Sequence, residues 1–183
     1  MIAEQVNKIN RSIAENLKQL KCLKCYKLFG IAEPFVRRHN KDKWIPAIID
    51  NESEGSYVFA DDDYQLGLYH RLLSKAYSVE KKRQYGSDII ETITTDMILV
   101  CWVFRRNLGK NGTADTFERI VYSSLSNEML ALQSNFDRKS VFANEFQGME
   151  FFLPEDVLLF SMRYRFAYPT QRDCIKIENI CKS

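Results

Sequence analysis

Eight consecutive apolar residues, Met97 to Phe104 (MILVCWVF), constrain this chain more than any other feature. In a strand Met97, Leu99, Cys101 and Val103 point one way, and Ile98, Val100, Trp102 and Phe104 point the other. Both faces are apolar, and strands of this kind lie in sheets covered on both sides. The surrounding segment, Ile89 to Arg105, is β-branched and aromatic and runs into the turn cluster NLGKNG. A long central strand is predicted.

The question is what covers it. Ile2, Val6, Ile9, Ile13, Leu17 and Leu20 recur at intervals of three and four, predicting an amphipathic helix from about Ile2 to Lys21. Thr113 is placed to cap a second helix, TFERIVYSSL, with Asp115 and Glu118 near its positive end and Phe117, Ile120, Val121 and Leu125 facing inward. YKLFGIAEPFVRRHNKDKWIPAIID, with Pro34, Pro46 and the turn-like HNKDK, reads as a hairpin of edge character, and Tyr57 to Phe59 as another short strand. Between residues 64 and 80, Leu66, Tyr69, Leu73 and Ala76 fit a helix, whereas Leu66, Leu68 and His70 fit a strand; both readings stay open.

Near the C-terminus Leu158, Phe160, Met162, Tyr164, Phe166 and Tyr168 alternate with a second set that includes Arg163 and Arg165. This is a strand whose second side is wet or faces a partner, so Arg163 and Arg165 are expected at a lumen or a subunit contact. Two helices leave one layer of cover unassigned. It comes either from segment 64–80 or 138–153 of the same chain, or from a neighbouring subunit. Within SVFANEFQGMEFFLPED, the residues Phe146, Met149, Phe151, Phe152 and Leu153 mix with Glu145, Glu150 and Glu155, and such a loop is costly to leave in water. These five apolar residues are candidates for a subunit interface.

With 183 residues, 45% of them hydrophobic, the chain can bury a sizeable core and is expected to form one domain over 1–183, with an extended loop or arm at 138–156. Its net charge of +2 is unevenly placed: residues 1–44 hold ten Lys/Arg against four Asp/Glu, while the remainder is mildly acidic. No stretch approaches the roughly 18 to 20 apolar residues of a membrane helix, and MIAEQVNKIN lacks the apolar core of a signal peptide, so no membrane partner and cytosolic synthesis are expected. Cys22, Cys25, Cys101, Cys174 and Cys181 are odd in number and fit no disulfide framework; reduced thiols are the default.

Catalytic chemistry has little to stand on. No GxSxG, HExxH, P-loop or GxGxxG occurs, and His39 and His70 are the only histidines. An enzyme would have to build its site from Asp61, Asp62 and Asp63 with His70. The three aspartates lack further ligands at EF-hand spacing and read as a solvated turn. Cys22 and Cys25 form a CxxC, but Cys174 and Cys181 are spaced wrongly for the second half of a zinc site. No metal or cofactor is expected. Arg37, Arg38, Lys41 and Lys43 beside Trp44 could hold a phosphate backbone and stack a base, which makes a small nucleic-acid-binding module using residues 18–44 the alternative reading.

In order, the chain has an N-terminal amphipathic helix, a hairpin ending in KWIPAIIDNE, the acidic loop DDDYQL, the long apolar strand, the helix TFERIVYSSL and the aromatic strand LLFSMRYRFAY. This order resembles the neck and tail-terminator ring proteins of tailed bacteriophages, with some features of those from gut phages that infect Bacteroidetes. The resemblance implies a tail-terminator-like α+β subunit, a mainly antiparallel sheet with helices packed on one face. It further implies a non-enzymatic, homo-oligomeric ring in the virion. Such a ring contacts portal, neck or tail proteins, and DNA passes through it without sequence-specific binding.

Overall fold

The computed structural model describes residues 2–20, 23–40, 43–50, 55–61, 63–81, 89–108, 113–127, 129–146 and 155–170. Its elements in chain order are α1 (Ile2–Leu17), β1 (Tyr26–Asn40), β2 (Lys43–Asp50), β3 (Gly55–Val58), β4 (Leu66–Lys81), β5 (Ile89–Phe104), α2 (Ala114–Ser124), β6 (Met129–Asn135), α3 (Arg138–Glu145) and β7 (Val157–Thr170). The class is α+β, as expected. The strands make a seven-stranded sheet in the order β3-β2-β1-β4-β5-β7-β6, antiparallel except where β1 runs parallel to β4.

The apolar strand β5 lies between β4 and β7. On one face Met97, Leu99, Cys101 and Val103 meet Val6, Ile9, Ile13 and Leu17 of α1 and Phe117 and Val121 of α2. The predicted stripe of α1 is what is buried. Phe160, Met162, Tyr164 and Phe166 of β7 join this first core, as their alternation requires. Thr113 occupies the N-cap of α2 with extended backbone, but its hydroxyl meets that of Thr116 at 3.3 Å and makes no capping bond to the backbone.

The same chain covers the opposite face. Ile98, Val100, Trp102 and Phe104 pack against Val141 and Phe142 of α3 and the following Phe146, and against Phe29, Ala32, Ile48 and Phe59 from the β1–β3 side of the sheet. Residues 138–145, expected within a loop or arm, are therefore a helix, α3, whose first turn is capped by the Asp137 carboxylate accepting from Lys139 N at 3.2 Å. Arg138 ties that helix to the chain entering β7 by donating to Glu155 O at 2.9 Å. α1 and α2 share one face, and α3 is added on the other.

β1 reaches both cores because its register slips between Leu28 and Ile31. The slip at Phe29 and Gly30 lets Leu28 and Ile31 face the first core while Phe29 and Ala32 face the second. Beyond it β1 leaves β4 and pairs with β2 as the predicted hairpin, Ala32 opposite Asp50 through Asn40 opposite Lys43. The undecided segment 64–80 is a strand. β4 pairs with β5 from Leu66 opposite Val103 to Lys81 opposite Ile89, and its described side chains from Leu72 to Ser78 are exposed.

Candidate interaction face and its polar cavity

On the α3 side of the sheet, strand registry sets side chains in transverse rows. Tyr69, Val100, Ser161 and Asn135 stand in one row, and Arg71, Ile98, Arg163 and Gln133 in the next. Ser74, Asp96, Arg165 and Leu130 form a third. Successive rows are about 6.8 Å apart, twice the rise per residue of an antiparallel strand. Tyr69 and Val100 of the first row are sealed in the second core while Ser161 and Asn135 line a cavity, the third row is open, and the row between them forms a polar step.

Glu145, the last residue of α3, anchors that step. Its carboxylate is buried, accepting from Tyr69 Oη at 2.6 Å and from Arg71 Nη2 at 2.7 Å. Burial first, and then the Glu145 charge, push the Tyr69 phenol well above its ordinary pKa, so it stays a donor. One row away Arg165 grips Asp96 with two charge-assisted hydrogen bonds, Nε to Oδ1 at 2.6 Å and Nη2 to Oδ2 at 3.0 Å. These bonds hold the Asp96 carboxyl below its usual range. On the same side of the sheet lies a cavity of about 250 Å³, floored by Ile98 and walled by β6, β7 and α3. Arg163 lines it and makes no hydrogen bond or ion pair to a described residue. Asn144 joins it to a second, more open hollow beside Glu33, Pro34 and Arg71.

Several sequence expectations are corrected. Phe146, placed at a subunit interface, is buried in its own chain, 4.8 Å from Phe59 and 5.0 Å from Phe142 between ring centroids. Met149, Phe151, Phe152 and Leu153 lie outside the described residues. Arg163 and Arg165 are both exposed on the predicted side of β7, yet Arg165 already has a partner within the chain. Nothing in the sequence pairs it with Asp96, 69 positions away.

Of the basic cluster, the structure describes the side chains of Arg37 and Arg38. Arg37 and Arg38 are neighbours in β1, opposite Ile45 and Trp44, so their side chains leave opposite faces. Arg37 reaches Ser56 Oγ at 3.3 Å. Lys41 lies outside the described residues, as do the side chains of Lys43 and Trp44, whose backbone opens β2.

His70 is fully buried and takes part in a closed chain of hydrogen bonds. Asn10 Nδ2 donates to Phe29 O at 2.8 Å, which leaves Asn10 Oδ1 to accept from His70 Nε2 at 2.9 Å. Nδ1 then accepts from Tyr164 Oη at 2.9 Å. Burial lowers the His70 pKa to about 3. The imidazole is a neutral strut between α1 and the sheet, with neither nitrogen facing the aspartate loop.

Among the described residues no group of three His, Cys, Asp or Glu could hold a metal ion, Cys25 is exposed and Cys101 is buried as a free thiol. Cys22, Cys174 and Cys181 lie outside the described residues. No helix among the described residues is long and apolar enough to cross a membrane. No protein-family model matches the chain, and no curated protein matches it in sequence.

Proposed function

We propose that the chain is a structural, non-enzymatic subunit that assembles head-to-tail into a closed ring around a DNA channel, as at the neck or head–tail connector of a bacteriophage virion. The observation that carries the reading is the free edge of the sheet. Among the described residues β6 has no strand on its outer side, and it and the following turn expose Leu130, Leu132 and Phe136, at 60%, 43% and 45%. An edge strand with exposed apolar side chains is a template for a second chain. The opposite edge is a different strand, β3, so a contact that joins the two edges is heterologous and propagates until it closes.

Two further features support it. β4 and β5 stay paired for eight residues beyond Leu73, about 27 Å of ribbon, with Leu72, Leu73 and Tyr77 exposed along β4. The basic first 44 residues and the acidic remainder also give one subunit the polarity that favours head-to-tail contact. Sedimentation velocity and native mass spectrometry test the proposal. A concentration-dependent oligomer that dissociates on Leu130→Lys with Leu132→Lys, without loss of thermal stability, is expected. A monomer at every concentration, or tight salt-dependent DNA binding by the monomer that requires Arg37 and Arg38, counts against the ring and for the binding module.

A further inference from the structure

The cavity floored by Ile98 exists within a single chain, and it holds several polar groups with unused hydrogen-bonding capacity around one guanidinium. Asn135 is committed: its Oδ1 accepts from Asp137 N at 3.0 Å and its Nδ2 donates to Ser140 Oγ at 3.2 Å. Because Ser140 accepts that bond, its own proton is free to point into the cavity. The carboxamides of Gln133 and Asn144 and the hydroxyl of Ser161 make no hydrogen bond to a described residue. Together with the Arg163 guanidinium they can present several donors over the apolar floor of Ile98, the amides by turning their NH2 groups inward. The two acceptor-only groups nearby, Asp96 and Glu145, are already occupied by Arg165 and by Tyr69 with Arg71.

We propose that this cavity is a binding site for a single carboxylate, with Arg163 as its anchor and the Gln133 and Asn144 amides as its orienting donors. A carboxylate is a planar, acceptor-only group that matches a guanidinium fork and satisfies several donors at once. The site carries one positive charge, Arg163, that makes no hydrogen bond or ion pair to a described residue. Asp96 lies close enough for Arg163 to help lower its carboxyl, so less than a full positive charge is left for a ligand, which suits a monoanion better than a phosphate dianion. The same chemistry serves a free small carboxylic acid and an Asp or Glu side chain presented by a second copy of the chain.

The test is NMR on the labelled full chain at neutral pH and constant ionic strength, with acetate as probe and inorganic phosphate for comparison. The signals followed are the Arg163 Nε–H and the side-chain amides of Gln133 and Asn144. Saturable shifts of all three with acetate are expected, weakened at least tenfold by Arg163→Gln and also weakened by Asn144→Leu, with the remaining spectrum unchanged. Absence of saturation, equal acetate binding by Arg163→Gln, or phosphate binding as tight as acetate overturns the site. Sedimentation then separates the sources. If Arg163→Gln and added acetate both dissociate the oligomer, the carboxylate belongs to a second copy; if acetate binds and sedimentation is unaffected, it is a free acid. A monomer that binds acetate through Arg163 keeps this site and rejects the ring.

Discussion

Gly67 and Trp102 face each other across β4 and β5, and the indole occupies the space that a side chain at position 67 would need. A Cβ there would lie 1.9 Å from Trp102 Cζ2 and 2.2 Å from Cε2. The indole is fully buried, with its Nε1 lacking a hydrogen-bond partner among the described residues. Shape complementarity therefore holds it, and Gly67 is the residue that makes the shape available. Gly67→Ala is expected to cost about 3 kcal/mol, the upper end of an overpacking penalty, because the obstructing atoms belong to a rigid ring packed on all sides. Urea unfolding checks this. In the Trp102→Leu background the same substitution should cost much less, and equal costs in the two backgrounds would show that the contact is not the cause.

Phe146 and Phe142 close the second core over Trp102, so the cover of β5 can be tested within one chain. Phe146→Ala should destabilise the protein by about 3 kcal/mol through lost burial and a residual cavity. Tryptophan fluorescence should shift to the red as water reaches the indole. A subunit-interface role for Phe146 predicts the reverse pattern, with stability retained and association lost.

The buried imidazole of His70 makes stability depend on pH. Its folded pKa, about 3, lies below the ordinary 6.5, so the folded state resists protonation. The contribution is complete above about pH 6.5 and is lost as pH falls through the folded value, to a total on the order of 5 kcal/mol. In denaturant titrations at pH 7, 5.5 and 4, His70→Gln should begin less stable than wild type and lose less on acidification. The His70 ring signals in NMR should show no titration between pH 7.5 and 4.5 while the chain stays folded. A midpoint near 6.5 would contradict the closed hydrogen-bond chain.

Arg165→Glu is a test of the fold before it is a test of assembly. It sets a second carboxylate against Asp96, and the isolated chain should melt earlier and exchange amide protons faster around residues 95–97 and 164–166. Exchanging the pair, Asp96→Arg with Arg165→Asp, should restore much of the loss. Because the Asp96 carboxyl is held below its usual range, the pair's contribution is present above about pH 4 and falls away in more acid solution. An Arg165→Glu chain that melts like wild type yet fails to assemble would place Arg165 at a partner surface instead.

The parts of this fold legible in the sequence are those with a local period. The stripe of α1, the inward face of α2, the two-sided run of β5 and the alternation of β7 each repeat at 3.6 or 2 residues, and burial follows those repeats. β4 was undecidable because Leu66, Leu68 and His70 compete with Leu66, Tyr69, Leu73 and Ala76. Its long pairing with β5 settles the choice through hydrogen bonds that no window of β4 contains. Segment 138–153 is one of the expected sources of cover and supplies it, but neither the helical form of α3 nor the strand β6 is legible in the sequence, for a related reason. α3 is eight residues long and buries only Val141, Phe142 and Glu145, too short a run for a period to emerge, and its apolar contacts acquire meaning only where β1 to β3 bring Phe29, Ile48 and Phe59 to meet them. The exposure of Arg163 and Arg165 was readable from alternation alone. That one is neutralised by Asp96 while the other opens on a cavity between β6, β7 and α3 depends on register across strands distant in sequence. Local sequence sets which way a side chain points, and only the tertiary pairing of strands decides what it meets there.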